Sequence, residues 1–112
     1  MALPHLHRLP LRFERDRLNA QGERHQGVYF TLIKAKLPQD LNFPRFAVLI
    51  SKKISPLSTE RNRLKRLTTQ ALQSFIPQIS PADYLIIPKK DLLSASYYQV
   101  VSDLERLLDH HD

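Results

Sequence analysis

A chain of 112 residues, 42% hydrophobic and 25% charged, is long enough to bury one core and too short for two, so its composition excludes both a multidomain assembly and wholesale disorder. Its net charge of +6 and pI near 9.9 favour a polyanionic partner: RNA, DNA or an anionic membrane surface. With no cysteine, a disulfide framework, a thiolate zinc site and a cysteine nucleophile are excluded, and a reducing cytoplasm fits.

Taken in order, Met1 to Pro10 holds two prolines and two histidines and reads as an irregular, flexible start without the apolar core of a signal peptide. Leu11 to Gln21 suits a short, highly charged helix with Phe13 and Leu18 as its apolar contacts, stopped by Gly22. From Val28 to Leu37, Val28, Phe30 and Leu32 alternate with Tyr29, Thr31 and Ile33 at the period of a strand. Pro38 to Pro44 carries turn chemistry, and Arg45 to Lys52 forms a second strand, expected to pair with the first as a hairpin. Ser55, Ser58 and Thr59 offer helix N-cap oxygens, after which Leu64, Leu67, Ala71, Leu72 and Phe75 recur at helical spacing.

Beyond Pro77 the run Asp83 to Ile87, bounded by prolines, predicts a third strand. Ser94 is placed to cap a last helix with Tyr97, Val100, Val101, Leu104 and Leu108 on one stripe. The result is one domain over 1–112, an α+β sandwich of a small sheet packed by helices in the order α-β-β-α-β-α. No apolar run approaches the roughly 20 residues of a membrane span, so a soluble, cytoplasmic protein without a membrane partner is expected.

Charge is concentrated in one window. Between Lys52 and Arg66 stand six cationic side chains and a single acid, Glu60. On a helical wheel Leu64, Leu67, Ala71 and Phe75 share one side, while Asn62, Lys65, Arg66 and Thr69 project to the other. Guanidinium, ammonium and amide groups together suit phosphate oxygens and 2′-hydroxyls. Cations in the first turns oppose the helix dipole at about 0.3–1 kcal/mol each, so a partner explains them better than helix stability does. A solvated basic face is the bland alternative, weakened by Lys52 and Lys53 arriving from a second element.

Other constellations carry less. The five histidines read as surface residues. Glu14, Asp16 and Glu23 are interleaved with Arg12, Arg15, Arg17 and Arg24 and read as a salt-bridged or solvated segment, not as a two-metal site. Asp103 and Glu105 read as an exposed helix face. Tyr97 and Tyr98 could stack on bases, although Tyr97 falls on the helix stripe and reads as core, and Tyr84 could likewise pack or stack. Gly22 and Gly27 are turn residues. No protein-based active site is visible, which weighs against an autonomous nuclease. The break at Pro77 to Pro81 followed by a strand removes a helix-turn-helix regulator. A structural or ribosome-associated RNA binder survives as the alternative to a role in RNA processing.

The segment FAVLISKKISPLSTERNRLKRLTTQA, Phe46 through Ala71, resembles the central signature of the protein subunit of bacterial-type ribonuclease P: a strand ending in Ser-Lys-Lys, then a helix opening with Arg-Asn-Arg, an aliphatic residue and Lys-Arg. The likeness extends from about Gly22 through the Tyr29-Phe30 strand, Asp83-Tyr84-Leu85-Ile86-Ile87 and the C-terminal helix. It implies a fold like the second domain of ribosomal protein S5, with a left-handed crossover around the basic helix. It also implies a protein, one copy in the holoenzyme, that assists a catalytic RNA in hydrolysing precursor tRNA at its 5′ end. By position, Arg61, Asn62, Arg63, Lys65 and Arg66 would contact that RNA, with Lys52 and Lys53 beside them. Phe13, Tyr29 and Ile33 would line the cleft for the precursor's 5′ leader. No cofactor is implied for the protein alone, and Mg2+ is implied for the RNA-catalysed reaction. The connection Ile54 to Glu60 departs from the family by being slightly longer and by lacking the usual glycine, and the N-terminal helix has only Phe13 where two aromatics are usual.

Overall fold

A computed structural model describes residues 7–38, 41–74 and 76–108. Four strands form one mixed sheet: β1 (Glu23–Gln26), β2 (Phe30–Ala35), β3 (Arg45–Val48) and β4 (Asp83–Pro88), in the order β1-β2-β4-β3. β2 runs antiparallel to β1 and β4, and β3 runs parallel to β4. The helices are α1 (Leu11–Gln21), α2 (Ser58–Gln73) and α3 (Tyr97–Leu108).

The expected hairpin between the second and third of these strands does not form, because β4 lies between them. The sequence of β4 gives the reason: Tyr84, Leu85 and Ile86 are all buried, so both faces are covered, as a central strand requires. β3 pairs with β4 in parallel, which needs a crossover, and α2 supplies it. β2 pairs instead with β1, whose sequence Glu-Arg-His-Gln carries no apolar pattern. That strand lies at the sheet edge, so it shows no hydrophobic periodicity. The order α-β-β-α-β-α read from the sequence contains no strand at this position.

α2 and α3 cover one sheet face. Phe30, Leu32, Phe46, Tyr84 and Ile86 pack there against Leu64, Ala71, Leu72, Val100, Leu104, Leu107 and Leu108. Tyr84 is core, its ring stacked on Phe46 with centroids 5.2 Å apart and its hydroxyl donating to the Ser80 carbonyl at 2.7 Å. Burial pushes its phenol up to about 12. The other face carries a smaller cluster of Leu9, Leu18, Ile33, Ala35 and Leu85 under α1. A Cβ at Gly22 would overlap the Ile33 side chain and the Leu18 carbonyl, so glycine lets the end of α1 approach β2.

Polar groups fix the helices on this frame. Asp83 is fully buried and accepts from Arg45 Nε and Nη2, both at 2.8 Å, and from Arg17 Nη2. Arg17 Nε reaches Glu14 at 2.9 Å, so α1 is tied to β3 and β4 through one ionic group. Hydrogen bonds to Asp83 hold the Arg45 guanidinium above its ordinary range against the cost of burial. Of the acids expected in a salt-bridged or solvated segment, Glu14 is bridged, and Asp16 and Glu23 are exposed.

Three expectations are corrected here. Asp103 is not on an exposed face: it is 3% exposed, and its carboxylate accepts from the backbone N–H groups of Val28 (3.0 Å) and Tyr29 (2.9 Å), donors that the β1–β2 turn leaves unpaired. Tyr97 is 44% exposed, since α3 has only begun and its inward stripe is Val100, Leu104, Leu107 and Leu108. Lys90–Ser94 is a 3₁₀ turn, and Ser96 caps α3 instead of Ser94. Its Oγ accepts from Gln99 N (3.2 Å), and Gln99 Oε1 accepts from Ser96 N (2.9 Å), a reciprocal capping box.

His7 to Pro10, expected to be flexible, is held on the β3 edge by Leu9 N donating to the Phe46 carbonyl (2.8 Å) and His7 Nδ1 to that of Pro44 (2.7 Å). Residues 1–6 and Phe75 lie outside the described residues. Among those described, no helix is long and apolar enough to cross a membrane.

Candidate nucleic-acid interface

α2 sinks into the fold along its length. Leu64 is the buried residue of its first half, whereas Thr68, Thr69, Ala71 and Leu72 are buried in its second. Its opening turns therefore ride on the surface, and Asn62, Arg63, Lys65 and Arg66 are exposed. Thr69, expected beside them, is only 5% exposed, and its hydroxyl donates to the Arg66 carbonyl (3.1 Å). Lys52 and Lys53 are exposed on a turn where Ile54 N donates to the Ser51 carbonyl at 3.1 Å. A crossover between parallel strands returns antiparallel to them, so this turn and the start of α2 share the C-terminal end of β3.

Arg61 behaves differently from its neighbours. It is half-buried, and its Nη1 donates to the Ser55 carbonyl at 2.8 Å. Ser55 Oγ in turn donates to Glu60 (2.7 Å) and accepts from Leu57 N (3.2 Å). Ser55, Ser58 and Thr59 were expected to cap α2, but the cap position is Leu57 and has no side-chain cap. Ser55 organises the longer connection one turn earlier. In this chain Glu60 and Arg61 close the crossover loop, and six of the seven expected RNA-contacting side chains remain on the open surface.

The expected cleft residues are not brought together. Ile33 is 3% exposed beneath α1. Tyr29 precedes β2, where its N–H is drawn to Asp103, and its side chain packs against the core on the opposite sheet face. The Phe13 side chain lies outside the described residues. What the α1 face does present is a half-buried strip of Ala47, Leu49 and Ile87, packed against the cluster of Leu9, Leu18, Ile33, Ala35 and Leu85. These three residues stand toward the C-terminal ends of β3 and β4, the end at which Lys52 and Lys53 emerge. Strand alternation carried through Arg45, Ala47 and Leu49, and through Leu85 and Ile87, is the signal that marks them. Among the described residues no group of three or more His, Cys, Asp or Glu could hold a metal ion.

The fold is similar to solved ribonuclease P proteins. One from Thermotoga maritima, determined in complex with 1-(4-fluorophenyl)-2-thiourea, superposes with a TM-score of 0.84 at 25% identity, covering 94% of this chain and 100% of that one. One from Staphylococcus aureus reaches 0.81 at 18% identity, over 92% and 93% of the two chains, and speaks for the fold alone. A mixed four-stranded sheet with a surface-riding basic helix is thus the small α/β fold of the solved ribonuclease P proteins.

Sequence relatives agree: the ribonuclease P protein components of Microcystis aeruginosa and of Synechocystis are each 32% identical, covering 96% of this chain and 92% and 86% of theirs. The family model described as Ribonuclease P matches residues 3–112, and the chain belongs to that family. Membership makes it a protein component of a tRNA-processing endoribonuclease.

Proposed function

We propose that the chain binds the ribonuclease P RNA through Lys52, Lys53, Asn62, Arg63, Lys65 and Arg66, and that the 5′ leader of precursor tRNA follows the strip of Ala47, Leu49 and Ile87 beside α1. The observation that carries this reading is the convergence of six open polar side chains and an apolar strip at one end of the sheet. Arginine can grip phosphate through two parallel N–H bonds, lysine adds a point charge, and Asn62 can both donate to and accept from a 2′-hydroxyl. The apolar strip suits bases or ribose faces and leaves the sequence of the leader unread. Hydrolysis of the phosphodiester is assigned to the RNA, and the Mg2+ it needs enters with the RNA's phosphates.

The reading is tested by measuring the affinity of the chain for ribonuclease P RNA across a salt series. Each phosphate neutralised contributes about 0.7–0.9 to the slope of log K against log salt. Lys65→Ala/Arg66→Ala is therefore expected to weaken binding and flatten the slope by roughly 1.4–1.8. Arg61→Ala is expected to loosen the crossover loop and leave the slope near that of the parent. An unchanged slope in the double variant would remove this helix face from the interface.

A further inference from the structure

Four large hydrophobic residues are prominently exposed among those described, Val28, Leu57, Tyr97 and Tyr98, and all stand at the same end of the sheet as the basic window. Val28 lies in the turn joining β1 to β2, beside the end of β4, because Phe30 is in register with Pro88. Leu57 opens α2, and the two tyrosines open α3. Apart from Leu57, this surface belongs neither to the α2 face nor to the strip beside α1.

Between the turn and α3 lies an open cleft of about 190 Å3. Val28 and Tyr29 form one wall, and Tyr98, Ser102 and Arg106, one turn apart along α3, form the other. Asp103 closes the floor, its charge taken up by two turn N–H groups and by Arg106 at 2.6 Å. The two turn N–H bonds to Asp103 tie one wall to the other, and Lys89 Nζ, donating to the Gly27 carbonyl at 2.7 Å, ties the turn to the end of β4. A Cβ at Gly27 would press on Asp103 and Leu107, so the turn is docked closely on the helix.

We infer that this cleft receives a single unstacked nucleotide base of the bound RNA, with Tyr98 as its stacking platform and Arg106 facing the adjoining phosphate. The inference rests on the RNA-binding reading above. At about 190 Å3 the cleft is smaller than the usual 300–1,000 Å3 small-molecule pocket, and it matches one flat ring better than a helix or strand of a partner protein. Tyr98 is 81% exposed and Arg106 has a side chain 61% exposed, so a ring face and guanidinium N–H groups are both presented to solvent. Gln99 has its carbonyl oxygen committed to Ser96, which leaves its amide N–H2 to meet a base edge. A strand held by the cations of α2 is a polyanion already located at this end of the sheet. Aromatic faces interleaved with cations are what single-stranded RNA needs there.

The chain has no tryptophan and four tyrosines, so its emission reports tyrosine directly. Titration of the full chain with a six-nucleotide oligoadenylate is expected to quench that emission. Tyr98→Ala is expected to weaken binding of the oligonucleotide and of ribonuclease P RNA about five- to a hundredfold, with the salt slope unchanged, since a stacked base releases no counterions. Tyr98→Trp is expected to restore it. Parent-like affinity in Tyr98→Ala, while Lys65→Ala/Arg66→Ala still flattens the slope, would overturn this inference and leave the α2 reading standing. Parent-like behaviour in both would remove the reading on which it rests. Loss of self-association in sedimentation by Tyr98→Ala, with RNA affinity unchanged, would make the patch a protein contact and equally overturn it.

Discussion

Replacing Asp83 with alanine is expected to destabilise the fold by about 3–5 kcal/mol, the range for removing one partner of a buried ion pair. Its carboxylate is wholly buried and is the shared acceptor of Arg45 and Arg17. Without it the Arg45 guanidinium, whose side chain is 11% exposed, retains only a 3.5 Å contact to Glu14 among its ion pairs. Against a total of about 5–15 kcal/mol for a domain, such a loss approaches global unfolding. Urea denaturation followed by circular dichroism measures it. Substituting Asp83, Arg45 and Arg17 together with apolar residues of similar size is expected to recover much of the loss, because the penalty comes from stranded charge. A loss below about 1 kcal/mol for Asp83→Ala would show that the group does not hold α1 on the sheet. The proposed path of the leader depends on that placement, since α1 lies over the cluster against which Ala47, Leu49 and Ile87 pack.

Leu72→Ala and Leu64→Ala are each expected to cost about 2–5 kcal/mol, from lost transfer energy plus the cavity left behind. Both side chains are fully buried between α2, α3 and the sheet. Leu67, on the same predicted stripe, is only half-buried, so Leu67→Ala is expected to cost distinctly less. Midpoints of chemical denaturation for the three variants give the order directly. A larger loss at Leu67 than at Leu72 would mean that α2 is rotated about its axis and that its basic face points elsewhere.

How much of this was legible follows from which interactions leave a local trace. α2, β2, β4 and α3 announce themselves by periodicity because each buries a stripe or a face. β1 does not, since Glu23 to Gln26 is an exposed edge stabilised by backbone pairing with β2. The strand order was equally hidden. Nothing within Val28 to Lys52 reports that a strand thirty residues later will part the expected hairpin, although the continuous apolar run of β4 was a hint of its central position.

The site divides in the same way. Lys52, Lys53, Asn62, Arg63, Lys65 and Arg66 follow from helical spacing and a charge window, and they are exposed together. The withdrawal of Arg61 depends on Ser55 and Glu60, a loop contact without any periodic signature. Asp103 looked like surface charge because its partners, the N–H groups of Val28 and Tyr29, are seventy-odd residues away in the chain. Tyr29 and Ile33 share a parity, but the chain bends before β2 and separates them onto opposite faces.

The chain is proposed to promote an RNA's cleavage of precursor tRNA while supplying no catalytic group of its own. The most direct test is cleavage of a precursor tRNA by bacterial ribonuclease P RNA at low magnesium, with the chain, without it, and with the chain alone. The expected result is efficient 5′ maturation only when RNA and chain are combined. Tight, salt-sensitive RNA binding without activation would contradict the claim and leave a structural RNA binder, and cleavage by the chain alone would contradict the assignment of the chemistry to the RNA.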